Sequence, residues 1–151
     1  MSVQIDGSGS ILGVSSPAFI AYQTVNQSVI TGTFTKLAIN FEEYDTDNCY
    51  STSLYRFTPT IAGYYQISGA LQFNTGASPL VAIFKNGTEH ARGPFLQGTA
   101  SQSSSVSALV YLNGSSDYAE LYGYQQTGST ISTQSSIRSL LYFTGHFARP
   151  V

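Results

Sequence analysis

Phe57-Thr-Pro-Thr-Ile-Ala-Gly-Tyr-Tyr-Gln-Ile-Ser-Gly-Ala-Leu-Gln-Phe-Asn74 is the stretch on which the fold turns. Within it, Tyr65, Ile67, Gly69, Leu71 and Phe73 alternate with Tyr64, Gln66, Ser68, Ala70 and Gln72. Successive side chains of a strand point to opposite faces. A period of two therefore predicts a strand over 64–74 with one face in a core and the other wet or in an interface. The predicted core set begins with Phe57, Tyr65, Ile67, Leu71 and Phe73. Pro59 has no N–H to give a sheet ladder, so it belongs ahead of the strand. Gly63 permits a sharp turn into it.

The same texture recurs on both sides. Residues 18–23, 36–44, 54–57, 80–85, 106–112, 118–124 and 140–147 are rich in Val, Ile, Tyr, Phe and Thr and read as further strands. Asn86-Gly87 and Asn113-Gly114 each separate two such runs. Asn-Gly supplies the positive φ angles of a tight turn, so both read as hairpins. Phe143 and Phe147 share a face of the last strand and complete the core set, with Gly145 between them leaving room for a neighbouring ring or backbone. No window carries apolar residues at helical spacing over three turns with a cap. The polar, uncharged stretches 98–105 and 128–136 read as exposed loops. Short strands at steady intervals predict an all-β sandwich or barrel over residues 18–151.

Residues 1–17 differ. Positions 2–17 hold three Gly, five Ser and one Pro, with Val3, Ile5, Ile11, Leu12 and Val14 as their apolar content. Such a segment cannot bury enough to fold alone and reads as a flexible arm that orders against something else.

Composition narrows the function. Of 151 residues, 9% are charged, against roughly a quarter in an ordinary domain. Six basic residues against eight acidic ones leave no positive row to displace counterions from phosphates, so nucleic acid is not an expected partner. The single cysteine excludes an intrachain disulfide framework and a four-cysteine metal site. Apolar runs stop at five residues, far short of the roughly eighteen that span a bilayer, so no membrane partner is expected. The start MSVQIDGSGS has neither a basic region nor an apolar stretch, and synthesis in the cytoplasm is expected. What remains is a nearly neutral, Tyr-rich, Ser/Thr-rich unit suited to binding or assembly.

Four landmarks stand in order: Phe57-Thr-Pro59 through Gly63-Tyr64-Tyr65; Val81-Ala-Ile-Phe84-Lys85-Asn86-Gly87; Val106 to Leu112-Asn113-Gly114 followed by Asp117; and Phe143-Thr-Gly145-His-Phe147. Together they resemble the globular head of the C1q/TNF-like family over about residues 18–149. The resemblance implies a ten-stranded jelly-roll β-sandwich of two antiparallel five-stranded sheets, assembled as a homotrimer. Two departures stand out. Gly114 and Asp117 are separated by two serines, which lengthens the second turn, and no Gly-X-Y stalk precedes the head. The Asn/Gln/Ser/Thr-rich style, with the stretch from Phe34 to Asp47 leading into Phe57, is similar to C1q-like heads on tailed-bacteriophage virions.

Several residues invite sharper readings. Glu42, Glu43, Asp45, Asp47 and Asn48 concentrate oxygen ligands that a Ca²⁺ ion could use, near Asp45 and Asp47 above all. EF-hand spacing and its glycine are missing, so turn hydrogen bonding in a solvated loop is the preferred reading. His90 and His146 lack a nucleophile elbow and read as surface or intersubunit residues. Asn26, Asn86 and Asn113 sit in Asn-x-Ser/Thr triplets that read as turn chemistry. Cys49 has no basic neighbour in sequence to activate it and reads as a passive thiol. Tyr118, Tyr122 and Tyr124 fall on one face with Glu120, opposite Ala119, Leu121 and Gly123, and form an outward ladder. Tyrosine pairs a large apolar ring with a polar tip, so subunit packing is the first reading and carbohydrate stacking the second.

The sequence therefore predicts a non-enzymatic virion structural protein with no cofactor. It is expected to be a trimeric capsid-decoration (cement) protein that docks on the major capsid protein, or another virion protein, through the arm. The competing expectation is the receptor-binding tip of a tail fibre touching host-surface glycans. The shortness of the arm, against the long repetitive shafts of fibres, favours the capsid exterior.

Overall fold

Alternation in the long central strand sets up two sheets that share one core. The computed structural model describes residues 16–98 and 102–151, together with the backbone of residues 4–5 and 11–12. The strands are β1 (Gln4–Ile5), β2 (Ile11–Leu12), β3 (Ala18–Tyr22), β4 (Ser28–Val29), β5 (Thr35–Lys36), β6 (Phe41–Asp45), β7 (Tyr50–Ser51) and β8 (Arg56–Phe57). They continue with β9 (Ala62–Gln72), β10 (Leu80–Lys85), β11 (Thr88–Arg92), β12 (Ser103–Asn113), β13 (Ala119–Tyr124), β14 (Ile131–Ser132) and β15 (Tyr142–Arg149). One 3₁₀ turn, Arg138–Leu140, precedes β15.

Sheet I runs β12-β9-β15-β3-β6, and sheet II runs β11-β10-β13-β8-β7 with β5 also paired to β13. All the pairings are antiparallel. The chain passes from β9 in sheet I to β10 and β11 in sheet II, returns to β12 in sheet I and crosses again to β13. This is a jelly-roll β-sandwich. It has one five-stranded and one six-stranded sheet rather than two of five, and two further two-stranded pairings, β14–β4 and β1–β2. The arm thus carries a short antiparallel pairing of its own, Gln4 opposite Leu12 and Ile5 opposite Ile11.

Phe57, Tyr65, Ile67, Leu71, Phe73 and Phe143 are all buried. Phe147 is half-buried and closes the end of the core, its ring 5.4 Å from that of Tyr65. Phe19 stacks on Phe57 at 4.5 Å and on Tyr50 at 4.9 Å, and meets the edge of Phe143 at 5.0 Å. The buried phenols are satisfied: Tyr65 donates to the Ile61 carbonyl (2.7 Å) and Tyr50 to that of Ile39 (2.8 Å).

One hairpin expectation holds and several others change. Asn86-Gly87 is the two-residue hairpin between β10 and β11, with φ of 52° and 76°. Asn113-Gly114 is not a hairpin, because β12 pairs with β9 while β13 pairs with β10. It carries the chain from one sheet to the other. The run 36–44 breaks into β5 and β6, since residues 37–40 dive inward and bury Leu37 and Ile39. The run 54–57 shrinks to β8, because residues 52–55 turn and leave Leu54 exposed.

Gly63 lies inside β9, not at a turn into it. A Cβ there would collide with Phe147 Cε2, so close approach is what requires glycine. The two polar stretches are not plain loops. Ser103–Ser105 open β12, and Ser104 is buried with its hydroxyl on the Pro94 carbonyl. Residues 128–136 carry β14 and the buried Thr133. Thr133 Oγ1 donates to Gln23 Oε1 and accepts from the Gln27 amide. Gln125, also buried, donates to the carbonyls of Val29 and Ser129 and accepts from Thr127. Uncharged polar side chains thus do inside this sandwich what composition alone assigns to a surface.

Candidate functional site

The outer face of sheet II carries the tyrosine ladder. Ala119, Leu121 and Gly123 are buried, while Tyr118, Tyr122 and Tyr124 are half-buried on the opposite face. Their rings already have partners within the chain. Tyr122 stacks on Phe84 with centroids 3.9 Å apart, and the Arg56 guanidinium sits 4.5 Å over Tyr118. Tyr124 touches Phe34 (5.0 Å) and Phe95 (6.1 Å). Glu120 is not an exposed member of this face. It is 4% exposed, its Oε1 takes the Lys36 ammonium at 3.0 Å, and its Oε2 accepts the Tyr122 hydroxyl at 3.3 Å. Burial, with Glu120 beside it, pushes the Tyr122 phenol up to about 12. The reach of Lys36 across from the neighbouring strand β5 is not legible from spacing along one strand.

At one end of the sandwich the two Asn-Gly turns meet. Asn86 Nδ2 donates to Asp117 Oδ1 (2.8 Å), and Asn86 Oδ1 accepts from the Tyr118 amide (3.0 Å). Asp117 Oδ2 accepts from the Asn113 amide (3.1 Å) and lies 3.0 Å from Lys85 Nζ. Asn113 Oδ1 caps the amides of Ser115, Ser116 and Asp117. The hydrogen bond from Asn86, with Lys85 adjacent, holds the Asp117 carboxyl below the usual carboxylate range. Asn26 is likewise engaged in a turn, accepting from the amide and hydroxyl of Ser135.

Sheet I presents a different outer face. Tyr64, Gln66 and Ser68 of β9, Ser103, Ser105, Ser107, Leu109 and Tyr111 of β12, and Tyr142, Thr144 and His146 of β15 point away from the core. None of these residues on β9, β12 and β15 is Asp, Glu, Lys or Arg; charge borders them, with Lys85 Nζ 5.2 Å from the Tyr111 ring, Arg149 Cζ 5.9 Å from the Tyr64 ring, and Glu42 and Glu43 exposed on β6. Leu109 is 47% and Tyr111 37% exposed, and Tyr111 lies 5.6 Å from Tyr64. Ser107 Oγ binds Ser68 Oγ (2.7 Å) and Gln66 Nε2 (2.8 Å), so much of the polar face satisfies itself laterally. At its β3 side a cleft of about 300 Å³ is lined by Ile20, Tyr22, Tyr142 and Thr144, with the Arg138–Glu43 ion pair at its rim.

The other candidate residues fall into place singly. Glu42 and Glu43 lie exposed on the edge strand β6 rather than in a loop. Asp45 Oδ2 accepts from the Tyr50 amide at 2.7 Å, a turn contact. Among the described residues no group of three His, Cys, Asp or Glu could hold a metal ion. Cys49 is buried, and burial pushes its thiol up, away from reactivity. His90 and His146 are both exposed, and His90 Nε2 lies 3.2 Å from the Leu109 carbonyl. In the arm, Val3 and Val14 lie outside the described residues, and of Ile5, Ile11 and Leu12 only the backbone is described. No helix among the described residues is long and apolar enough to cross a membrane.

Solved structures share this fold. The globular domain of zebrafish complement 1qA superposes with a TM-score of 0.65 at 12% identity, covering 91% of this chain and all of that one. The fold is the C1q/TNF-like jelly roll. Murine APRIL gives 0.67 at 9% identity over 89% of this chain and all of its own. The vertex protein P5 of phage PRD1 gives 0.56 at 16% identity over 91% of this chain and all of its own. No family model and no curated protein sequence matches the chain.

Proposed function

We propose that this chain is a non-enzymatic structural protein of a tailed-bacteriophage virion, a homotrimeric capsid-decoration (cement) protein on the capsid exterior. The observation that carries the virion reading is the likeness in fold to the PRD1 vertex protein over 91% of the chain. The outer face of sheet I supports self-association. Depletion of charge with exposed aromatic and aliphatic residues is the composition of an interface core, not of a solvated sheet. Burying it around a closed three-fold axis leaves no open edge for further growth. Tyr118, Tyr122 and Tyr124, whose rings are engaged within the chain, are then left for contacts beyond the trimer.

Attachment belongs to the arm. Val3, Ile5, Ile11, Leu12 and Val14 are apolar residues in a Gly/Ser-rich segment, and the partner they suit is the major capsid protein or another virion protein. A trimer presents three arms at once, and linked sites gain by effective concentration, roughly 10²–10⁴-fold in general. Deleting residues 2–14 is expected to leave folding and trimer mass intact while abolishing attachment to particles. If the truncated trimer still decorates heads, the jelly roll itself docks. Replacing Leu109 by Arg is expected to dissociate the trimer without unfolding the chain. A clean monomer for the unmodified protein at micromolar concentration would remove the assembly reading.

A further inference from the structure

We propose that the outer face of sheet II holds a binding site for a neutral pyranose, the terminal or branch sugar of a surface polysaccharide. The site is a cavity of about 320 Å³ lined by Phe34, Leu80, Arg92, Phe95, Tyr124 and Gln126. Its size is at the small end of the roughly 300–1,000 Å³ typical of small-molecule sites, which suits one sugar ring rather than an extended chain.

Two features of the lining select this chemistry. The first is aromatic. Phe34 and Phe95 flank Tyr124, their rings inclined to it by 40° and 62°. A pyranose has an apolar face of axial C–H groups and an equatorial belt of hydroxyls. Inclined aromatic walls offer ring surface to the C–H face while leaving the belt directed outward. The second is a polar rim with unused capacity. Gln126 Nε2 donates to the Tyr124 oxygen at 2.5 Å, so the tyrosine hydrogen is directed elsewhere. Among the described residues, the Gln126 carbonyl oxygen and Arg92 Nη1 have no protein partner. A planar amide acceptor, a phenolic donor and a guanidinium donor around an aromatic floor are what vicinal hydroxyls pair with.

Electrostatics fixes the sugar as neutral. Arg92 gives Nε and Nη2 to the two oxygens of Glu89 at 2.6 and 2.7 Å. Its charge is thereby compensated within β11, and an acidic sugar would face the Glu89 carboxylate without a free cation. A fatty or peptide ligand fits less well, because an apolar occupant would leave the Gln126 and Arg92 groups desolvated and unpaired. The site does not depend on where the trimer sits on a particle, so its failure leaves the virion reading standing and the converse also holds.

The test is saturation-transfer NMR on the intact protein with methyl glycosides of glucose, galactose, mannose and N-acetylglucosamine, and the methyl glycoside of N-acetylneuraminic acid as the charged control. Transfer to ring C–H protons of at least one neutral glycoside is expected, with millimolar affinity and none to the sialic acid. Gln126→Ala, on an exposed residue, is expected to weaken that binding ~10-fold with an unchanged melting temperature, in line with the loss of one or two hydrogen bonds. Phe95→Ala is expected to abolish it. No transfer from any neutral glycoside at tens of millimolar overturns the proposal, as does equal binding by wild type and both variants, or preference for the sialic acid glycoside.

Discussion

Lys36→Met isolates the ion pair that ties β5 to β13. The Glu120 side chain is 5% exposed, and Lys36 Nζ sits 3.0 Å from its Oε1 and 3.2 Å from the Leu54 carbonyl. Methionine keeps the aliphatic stem and removes the charge. Glu120 would then retain the Tyr122 hydroxyl at 3.3 Å as its remaining side-chain partner. Arg56 opposes Glu120 in register, but its guanidinium is committed to the face of Tyr118. Breaking a fully buried pair costs about 3–5 kcal/mol. Lys36 is 36% exposed, which lets water carry part of the load and brings the expected loss to about 2–3 kcal/mol. For a chain of this length that is a fall in Tm of about 4–12 °C. Urea unfolding at pH 7 measures it. The double variant Lys36→Met, Glu120→Leu is expected to recover most of the loss, because no stranded charge remains. A single-variant cost under about 0.5 kcal/mol, the value of a surface pair, would refute the reasoning.

Three further outcomes follow from the same structure. Leu71→Ala or Phe73→Ala is expected to cost about 2–5 kcal/mol in urea unfolding, and Gln66→Ala or Gln72→Ala less than about 0.5 kcal/mol, because the two sets lie on opposite faces of β9. Gly145→Ala places a Cβ 2.5 Å from Ile67 Cδ1 and 2.9 Å from Phe19 Cε1, and overpacking of this kind costs about 1–3 kcal/mol by thermal melting. The lowered Asp117 pKa stabilises the fold above the unfolded carboxylate value of about 3.9, and this contribution is lost as pH falls through the folded value. Asp117→Asn is therefore expected to lower stability at pH 7 and to flatten the acid limb of a pH–Tm profile, and an unchanged acid limb would contradict it.

The sandwich was legible because Tyr64–Phe73 has a wet face and a dry face with no ambiguity of period. The same rule read Ala119, Leu121 and Gly123 as the inner face of β13. It failed wherever a side chain's partner lay in another strand. Nothing in the sequence near Asn113-Gly114 says that β12 and β13 belong to different sheets, since Asn-Gly serves a hairpin and a crossing equally well. Glu120 reads as exposed until Lys36 arrives from 84 positions away in sequence. Thr133 reads as a loop residue until its buried hydrogen bonds to Gln23 and Gln27 are seen. Gly63 looks like a turn residue because the ring that needs its space, Phe147, comes from the far end of the chain. The uncharged β12-β9-β15 part of the sheet I face was half visible, in the wet side of β9, but its extent depends on β12 and β15 lying on either side of it.

The most direct test is the location of the protein on the intact particle, by cryo-electron microscopy of virions carrying a C-terminal tag on this chain, with the arm-deleted protein as the comparison. The account predicts three-fold knobs on the outside of the head, each joined to the lattice by thin density at the arm and lost when residues 2–14 are removed. Tagged density at the tail tip alone, with bare heads, would contradict it and put the protein at the end of a fibre.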